Sequence, residues 1–492
     1  MTSGPNPGGR RGFLKRFMAY SGISAGVSAA GLPAVQAQSR PGGVEVLPGY
    51  TNTPSAPGTT PVGSGERISS VDMIRGFALL GILLMNIVAF AWPHQAYSDP
   101  TIAGGDTGRN LAAWFLNYVL FDGKMRALFS MLFGASVVLM TSRAERRGDA
   151  AQIADIYYRR NLWLLLFGII DAYVILWPGD ILYSYAVCGL LLFPLRKLSA
   201  RRLLLVGALV LAVTIPKLLL EANNIQSLRT QAGEASRLAA AGQGLSDEQK
   251  EAQKEWEAKL KEMKPGPAEI QKEIDRRLAA GYPALFVTFV DINSMLQSTK
   301  FYRWFVWDIT GMMLLGMGLL KLGVFSATRS NRFYALLVLF GYGIGIPLNA
   351  WIASRNVASH FDLANIFQNA CAYDAGRFSV ALGHVGLMML IYKAGLFRFL
   401  TSALAAVGQM ALSNYLFQNI VCTLLFNGYG FGLFGRLERF QLYGVVLAVW
   451  IVQLVASPIW LRHFRFGPME WLWRSLTYWK RQPIVNGQLA VH

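Results

Sequence analysis

An amide and a histidine on one apolar segment are the residues of this chain best suited to chemistry. In RISSVDMIRGFALLGILLMNIVAFAWPH (67–94), Asn86 lies deep within the apolar run and His94 follows it, after Trp92-Pro93. An imidazole titrates near neutral pH, so His94 can take the proton that an amine or hydroxyl sheds on accepting an acyl group. Asn86 can donate to a developing oxyanion or bind a ligand amide. The plainer readings are an interfacial histidine beside an aromatic belt and an asparagine bonded between helices. Asp72 and Arg75 place charges at the segment's entry. On a helix, Arg75 and Asn86 are close to three whole turns apart and share a face, with Asp72 near the same stripe. Arg75 and His94 would lie roughly 28 Å apart, about one hydrocarbon thickness. One helix therefore offers a polar group to each side of a bilayer.

Other candidates are scattered. Asp180, in the turn Trp177-Pro178-Gly179-Asp180, could orient a base or bind a polar acceptor, with Asp171 one helix stretch earlier. Its plain alternative is to cap the helix that starts at Ile181. Asp122 has a similar capping alternative. Arg75, Arg143, Arg147, Arg159 and Arg160 could hold the phosphates of a nucleotide-bearing co-substrate, although membrane topology alone accounts for basic loops. His384, after Asp374 and Arg377, is an ionisable residue inside an apolar stretch; it is a functional candidate or a hydrogen-bonded core histidine. Ser413, Asn414 and Gln418 suggest a polar cavity or helix-to-helix bonding. Glu470 and Arg474, four apart, read as a helix pair among Trp and Tyr anchors.

These residues need a scaffold, and composition says which. The chain has 492 residues, 53% hydrophobic and 15% charged, with a mean hydropathy of +0.35. Apolar stretches recur from residue 74 to 461, which predicts an all-α, polytopic membrane bundle of about ten spans. The spans read as 74–93, 125–142, 161–177, 181–195, 202–222, 304–324, 333–353, 375–394, 402–425 and 441–461. The net charge of +18 sits mainly at helix ends, from Arg143 to Arg332, which marks cytoplasmic loops rather than a nucleic-acid surface. Three scattered cysteines (Cys188, Cys371, Cys422) fit neither a disulfide framework nor a zinc site. A Walker A loop, a His/Glu zinc motif and a GxSxG elbow are all lacking, which leaves an ATP-driven pump or serine hydrolase unsupported.

With basic loops inside, Arg75 is cytoplasmic, His94 and Asp180 face outward, and the C-terminus returns to the cytoplasm. This is the orientation expected of a multi-pass chain in a cytoplasmic (inner) membrane. Residues 224–282 form a polar insert, charged all round and broken at Pro265-Gly266-Pro267; it reads as a solvated helical hairpin on the outer side. Residues 1–37 resemble a twin-arginine export signal (Arg10-Arg11, with Val35-Gln36-Ala37 as the cleavage site) or a tail, and 38–66 a disordered linker. The membrane core is 67–482, with a tail at 483–492. A cleaved signal would reverse the first span, and the distributed charge bias outweighs it.

In order along the chain, SVDMIRGFALLGILLMN (70–86), ALFSMLFGAS (127–136), RRNLWLLLFG with WPGDILYSYAVCGLLL (159–192), GQMALSNYLFQN (408–419) and FGPMEWLWRSLTYW (466–479) resemble the YeiB-type family of bacterial membrane proteins. The entry helix is also distantly similar to that of heparan-alpha-glucosaminide N-acetyltransferase-type enzymes. That likeness implies acetyl-CoA or another acyl-CoA on the cytoplasmic side and a glycan or small-metabolite acceptor on the far side. By position Asn86 matches the amide and His94 the catalytic base, with a shorter spacing than those enzymes lead one to expect. The leading expectation is thus a transmembrane acyltransferase with His94, Asn86 and Asp180 at the acceptor end and the five arginines at the donor end. A transporter or lipid-handling protein, or a non-catalytic partner in envelope biogenesis, is the alternative.

Overall fold

The structure, a computed structural model, describes residues 68–146 and 152–485. The segments 1–37 and 38–66, Arg147 and all but the start of the tail 483–492 lie outside the described residues.

The first helix, α1 (Ser69–Ala91), carries Asp72 in its first turn, where a carboxylate suits the helix dipole. It stops at Trp92, because Pro93 lacks an N–H and disfavours helix in the residue before it. Most of α1 is buried, so it is a central rather than a lipid-facing helix. Then follow α2 (Gly108–Leu120), α3 (Lys124–Arg146), α4 (Ile153–Tyr173), α5 (Leu182–Leu192), α6 (Ala200–Ala212) and α7 (Thr214–Ala240). The polar insert continues with α8 (Asp247–Met263) and α9 (Pro267–Ala279). A π-helical stretch, Leu296–Phe305, joins α10 (Tyr282–Met295) to α11 (Val306–Lys321). The chain closes with α12 (Asn331–Ala358), α13 (Leu363–Ala394), α14 (Arg398–Gln409), α15 (Ala411–Phe426), α16 (Arg439–His463) and α17 (Pro468–Tyr478).

The protein is an all-helical, multi-pass membrane protein. Six stretches are long and apolar enough to cross a bilayer among the described residues: α1, α2–α3, α6–α7, α12, α13 and α16. The expected count of about ten is therefore not reached by length and composition alone. The expected spans 161–177, 181–195 and 304–324 correspond to α4, α5 and α11, which fall short in length or apolarity. The expected span 402–425 is two helices, not one, broken at Met410.

Glycines let the central helices touch backbone to backbone. A Cβ on Gly76 would lie 1.9 Å from the Leu404 carbonyl oxygen, and one on Gly408 the same distance from that of Asp72, so α1 and α14 cross in direct contact. Gly134 and Gly316 repeat the device between α3 and α11. Small residues at crossings are how helices associate tightly where lipid removes the hydrophobic drive.

The insert is docked rather than freely solvated. Gln95 donates to the Glu262 carbonyl at 3.2 Å, Lys264 pairs with Asp99 at 3.4 Å, and Arg229 pairs with Asp362 at 2.9 Å. Trp256, Leu260 and Met263 of α8, four and three residues apart, also pack on Ile225, Leu363 and Ala364, an apolar stripe that the surrounding charges concealed.

Candidate anion-binding cavity

At the Arg75 end of α1, helices α1, α3, α4, α5, α14, α15 and α17 line a cavity of about 250 Å³. Each helix contributes by its period. On α3, Phe129, Phe133, Ser136, Met140 and Arg143 follow one another at three- and four-residue steps, so a single face lines the space. Arg75 is held there by Asp72 at 2.7 Å and by the Ser136 hydroxyl at 3.1 Å. Arg160, from α4, lies 3.8 Å from the centre of the Trp473 ring. Around the cavity four arginines (Arg75, Arg143, Arg160, Arg474) face two carboxylates (Asp72, Glu470), an excess of two positive charges.

Glu470 does not act only as a helix-pair partner for Arg474. Its carboxylate accepts from the Leu412 and Ser413 backbone N–H groups at 2.6 and 3.1 Å and from the Ser413 hydroxyl at 2.5 Å. It thereby caps α15, which explains how a break at Met410 is tolerated at the membrane edge. Burial pushes the Glu470 carboxyl above its ordinary range, against the pull of these donors.

The predicted residues divide into groups. Arg75, Arg143 and Arg160 line the cavity together. Arg159 turns aside to pair with Asp155, and Arg147 lies outside the described residues. Asn86 is half-buried and is not part of the cavity lining. His94 sits in a short turn (His94–Tyr97) with its ring exposed. The neighbouring protein desolvates it enough to lower its pKa, opposed by Glu273 and Glu262 of the insert. Asp180 caps α5, accepting from Leu182 and Tyr183 N–H at 2.9 and 2.8 Å. The acceptor-side trio His94, Asn86 and Asp180 is thus not shown as one cluster.

What sequence reading missed is a buried ionic cluster where α2 meets α3. Tyr97, three residues past His94, turns inward and bonds Asp122, which also accepts from the Tyr373 hydroxyl at 2.9 Å. Lys124 is fully buried against the Asn349 side chain at 2.8 Å. Asp308 pairs with Arg377 and, at 3.2 Å, with Arg126, while Arg377 also reaches Asp374 at 2.9 Å. Three cations meet three carboxylates. The run Asp122-Gly123-Lys124-Met125-Arg126, with its charges beside an apolar stretch, was the available signal.

His384 has both nitrogens occupied. Nε2 donates to the Leu120 carbonyl at 2.8 Å, which leaves Nδ1 to accept from the Tyr342 hydroxyl at 2.7 Å. That fixes a neutral ring and matches a bonded core histidine. Asn414 donates to Ser457 at 3.0 Å and Gln418 to Gln453 at 2.9 Å, so this polar row joins α15 to α16.

Residues 319–480, from the end of α11 through α17, match the family model described as "Protein of unknown function (DUF418)". The whole core is 32% identical to the uncharacterized protein YeiB of Escherichia coli K12 over 427 residues, 86% of this chain and 99% of YeiB. The chain belongs to the YeiB family. It is also 30% identical over 437 residues to the uncharacterized protein YxaH of Bacillus subtilis, covering 87% of this chain and 98% of YxaH. No solved structure matches the chain. Within the YeiB core, the cavity combines α1, α3, α4 and α5 with α14, α15 and α17, and of these helices only the last three fall in the DUF418 match.

Proposed function

We propose that this YeiB-family protein is a transmembrane acyltransferase of the bacterial inner membrane that binds an acyl-CoA-type donor in the arginine cavity. The supporting observation is the two-charge excess around a cavity whose other walls are aromatic and aliphatic, including Phe129, Phe133 and Leu164. Guanidinium groups recognise phosphate oxygens, and an acyl-bearing arm suits the apolar walls. The positive-inside bias puts this end of α1 in the cytoplasm, where acyl-CoA is found. The acceptor's O–H or N–H adds to the thioester carbonyl, the C–S bond breaks, and the thiol leaves with the acceptor's proton. Asn86 and His94 are the acceptor-side candidates on the same helix.

A transport or lipid-handling role is favoured by one observation. Ile82, Met85 and Met125 form an apolar cluster, with Tyr97, Phe121, Phe129 and Ile181 around it, between Arg75 and His94 on α1. In a transporter such a cluster would be the closed gate.

The test incubates purified protein with radiolabelled acetyl-CoA and envelope extract, using wild type, Arg160→Ala and His94→Ala. Label transfer that falls in both variants supports the transferase. Equal transfer in His94→Ala removes His94 from the mechanism. Uptake of intact label into proteoliposomes without transfer replaces the transferase with the transporter.

A further inference from the structure

Tyr415 forms part of the cavity wall, and behind it lie two buried carboxyls. Asp171, in the last turn of α4, is 0% exposed, and the Asp180 carboxylate packs against the same helix about one turn earlier, where a Cβ on Gly168 would stand 2.7 Å from Asp180 Oδ2. Both Asp180 oxygens accept backbone N–H groups of α5. Asp171 Oδ2 accepts from the Asn419 amide at 2.7 Å, while Oδ1 meets no donor. The Tyr415 hydroxyl accepts from Ile181 N–H at 3.1 Å, one turn along α15 from Asn419, the residue that holds the Asp171 carboxyl. Tyr183 and Asn293, whose amide donates to the Ala172 carbonyl at 2.7 Å, complete the polar surroundings.

Two bare carboxylates this close in a dry site repel each other strongly, so the pair must hold one proton between them. The two N–H donors keep Asp180 as the anion. A proton on the donorless Oδ1 of Asp171 would turn that unsatisfied acceptor into a donor. We propose that Asp171 and Asp180 form a proton-binding site linked through Tyr415 to the arginine cavity, so that an anion in the cavity and the shared proton favour each other. The coupling rests on the anion-binding reading of the cavity; the shared proton does not. Losing that proton to water leaves a dianion, which a bound anion nearby disfavours. By reciprocity, anion binding weakens as pH rises through this ionisation.

The experiment uses the purified full-length chain in detergent and has two arms. Infrared spectra in H₂O and D₂O should show a deuterium-sensitive carboxylic-acid carbonyl band that is absent from Asp171→Asn. It should also be absent from Asp180→Asn, a variant that retains a good helix-capping side chain and so keeps the fold. Calorimetry with acetyl-CoA and with inorganic phosphate, at stepped pH, should show roughly tenfold weakening in wild type. Asp171→Asn should show a flat profile. No band in wild type, or a band that survives in both variants, overturns the shared proton. Equal pH dependence in wild type and Asp171→Asn overturns the coupling. Binding of neither probe at any pH overturns the cavity reading and the coupling with it, while the band still decides the proton site.

Discussion

Arg160 and Trp473 hold each other twice: the guanidinium stacks 3.8 Å from the ring centre, and the indole N–H donates to the Arg160 carbonyl at 2.9 Å. The contact joins α4 to α17 across the cavity mouth and fixes the direction of a cation that α4 alone would leave to several rotamers. Trp473→Ala should therefore weaken acetyl-CoA binding by about 1 kcal/mol, roughly fivefold, through lost orientation. Trp473→Phe should recover part of it by restoring the ring without the N–H. Calorimetry on both variants checks the order.

Glu470 is the cap of α15 as well as part of the cavity wall. Glu470→Ala should lower the melting temperature in detergent, corresponding to about 1–2 kcal/mol from the uncapped N–H groups. Glu470→Gln keeps an acceptor oxygen and should lose less. Equal losses in the two would mean that the charge, not the hydrogen bonds, is what α15 needs.

The crossing of α1 and α14 leaves no room at Gly408, where a methyl would stand 1.9 Å from the Asp72 carbonyl oxygen. Gly408→Ala should destabilise by about 1–3 kcal/mol, since two backbones must separate. Gly444→Ala, where nothing approaches the added carbon, is the matched control and should melt like wild type.

Lys124 balances a cluster in which Asp122, Asp308 and Asp374 meet Arg126 and Arg377. Lys124→Met removes a buried cation close to half-buried Asp122 and should cost about 1–3 kcal/mol. Pairing it with Asp122→Asn should recover much of that loss. A double variant no more stable than Lys124→Met would show that the two charges do not compensate each other.

Much of the scaffold was legible because membrane helices announce themselves by composition. The apolar run of α1, the basic loops and the charged insert all follow from one-dimensional patterns. The clustering of Arg75, Arg143 and Arg160 could be guessed from topology, since all three sit at the same ends of their helices. Arg159, one residue away, faces elsewhere because neighbouring residues on a helix differ by about 100°. The break at Met410 was hidden, since its stabilising cap comes from Glu470, far along the chain. The roles of Tyr97 and Asp180 depend on which way a turn points, and neither composition nor periodicity records that.

The helical stretch Ala200–Ala240 has 41 residues. At 1.5 Å per residue this is about 60 Å, twice the hydrocarbon thickness. It stands as a mast, and α8 at its far end reaches the turn that carries His94, where Gln95 bonds the Glu262 carbonyl. The height of that contact is set by residue count, and its bearing by helical phase. One inserted residue would swing it by about 100° and carry Lys264 away from Asp99. Seven would nearly restore the bearing but raise it by about 10 Å. The contact between the insert and the His94 turn is thus written in the combined length of α6 and α7.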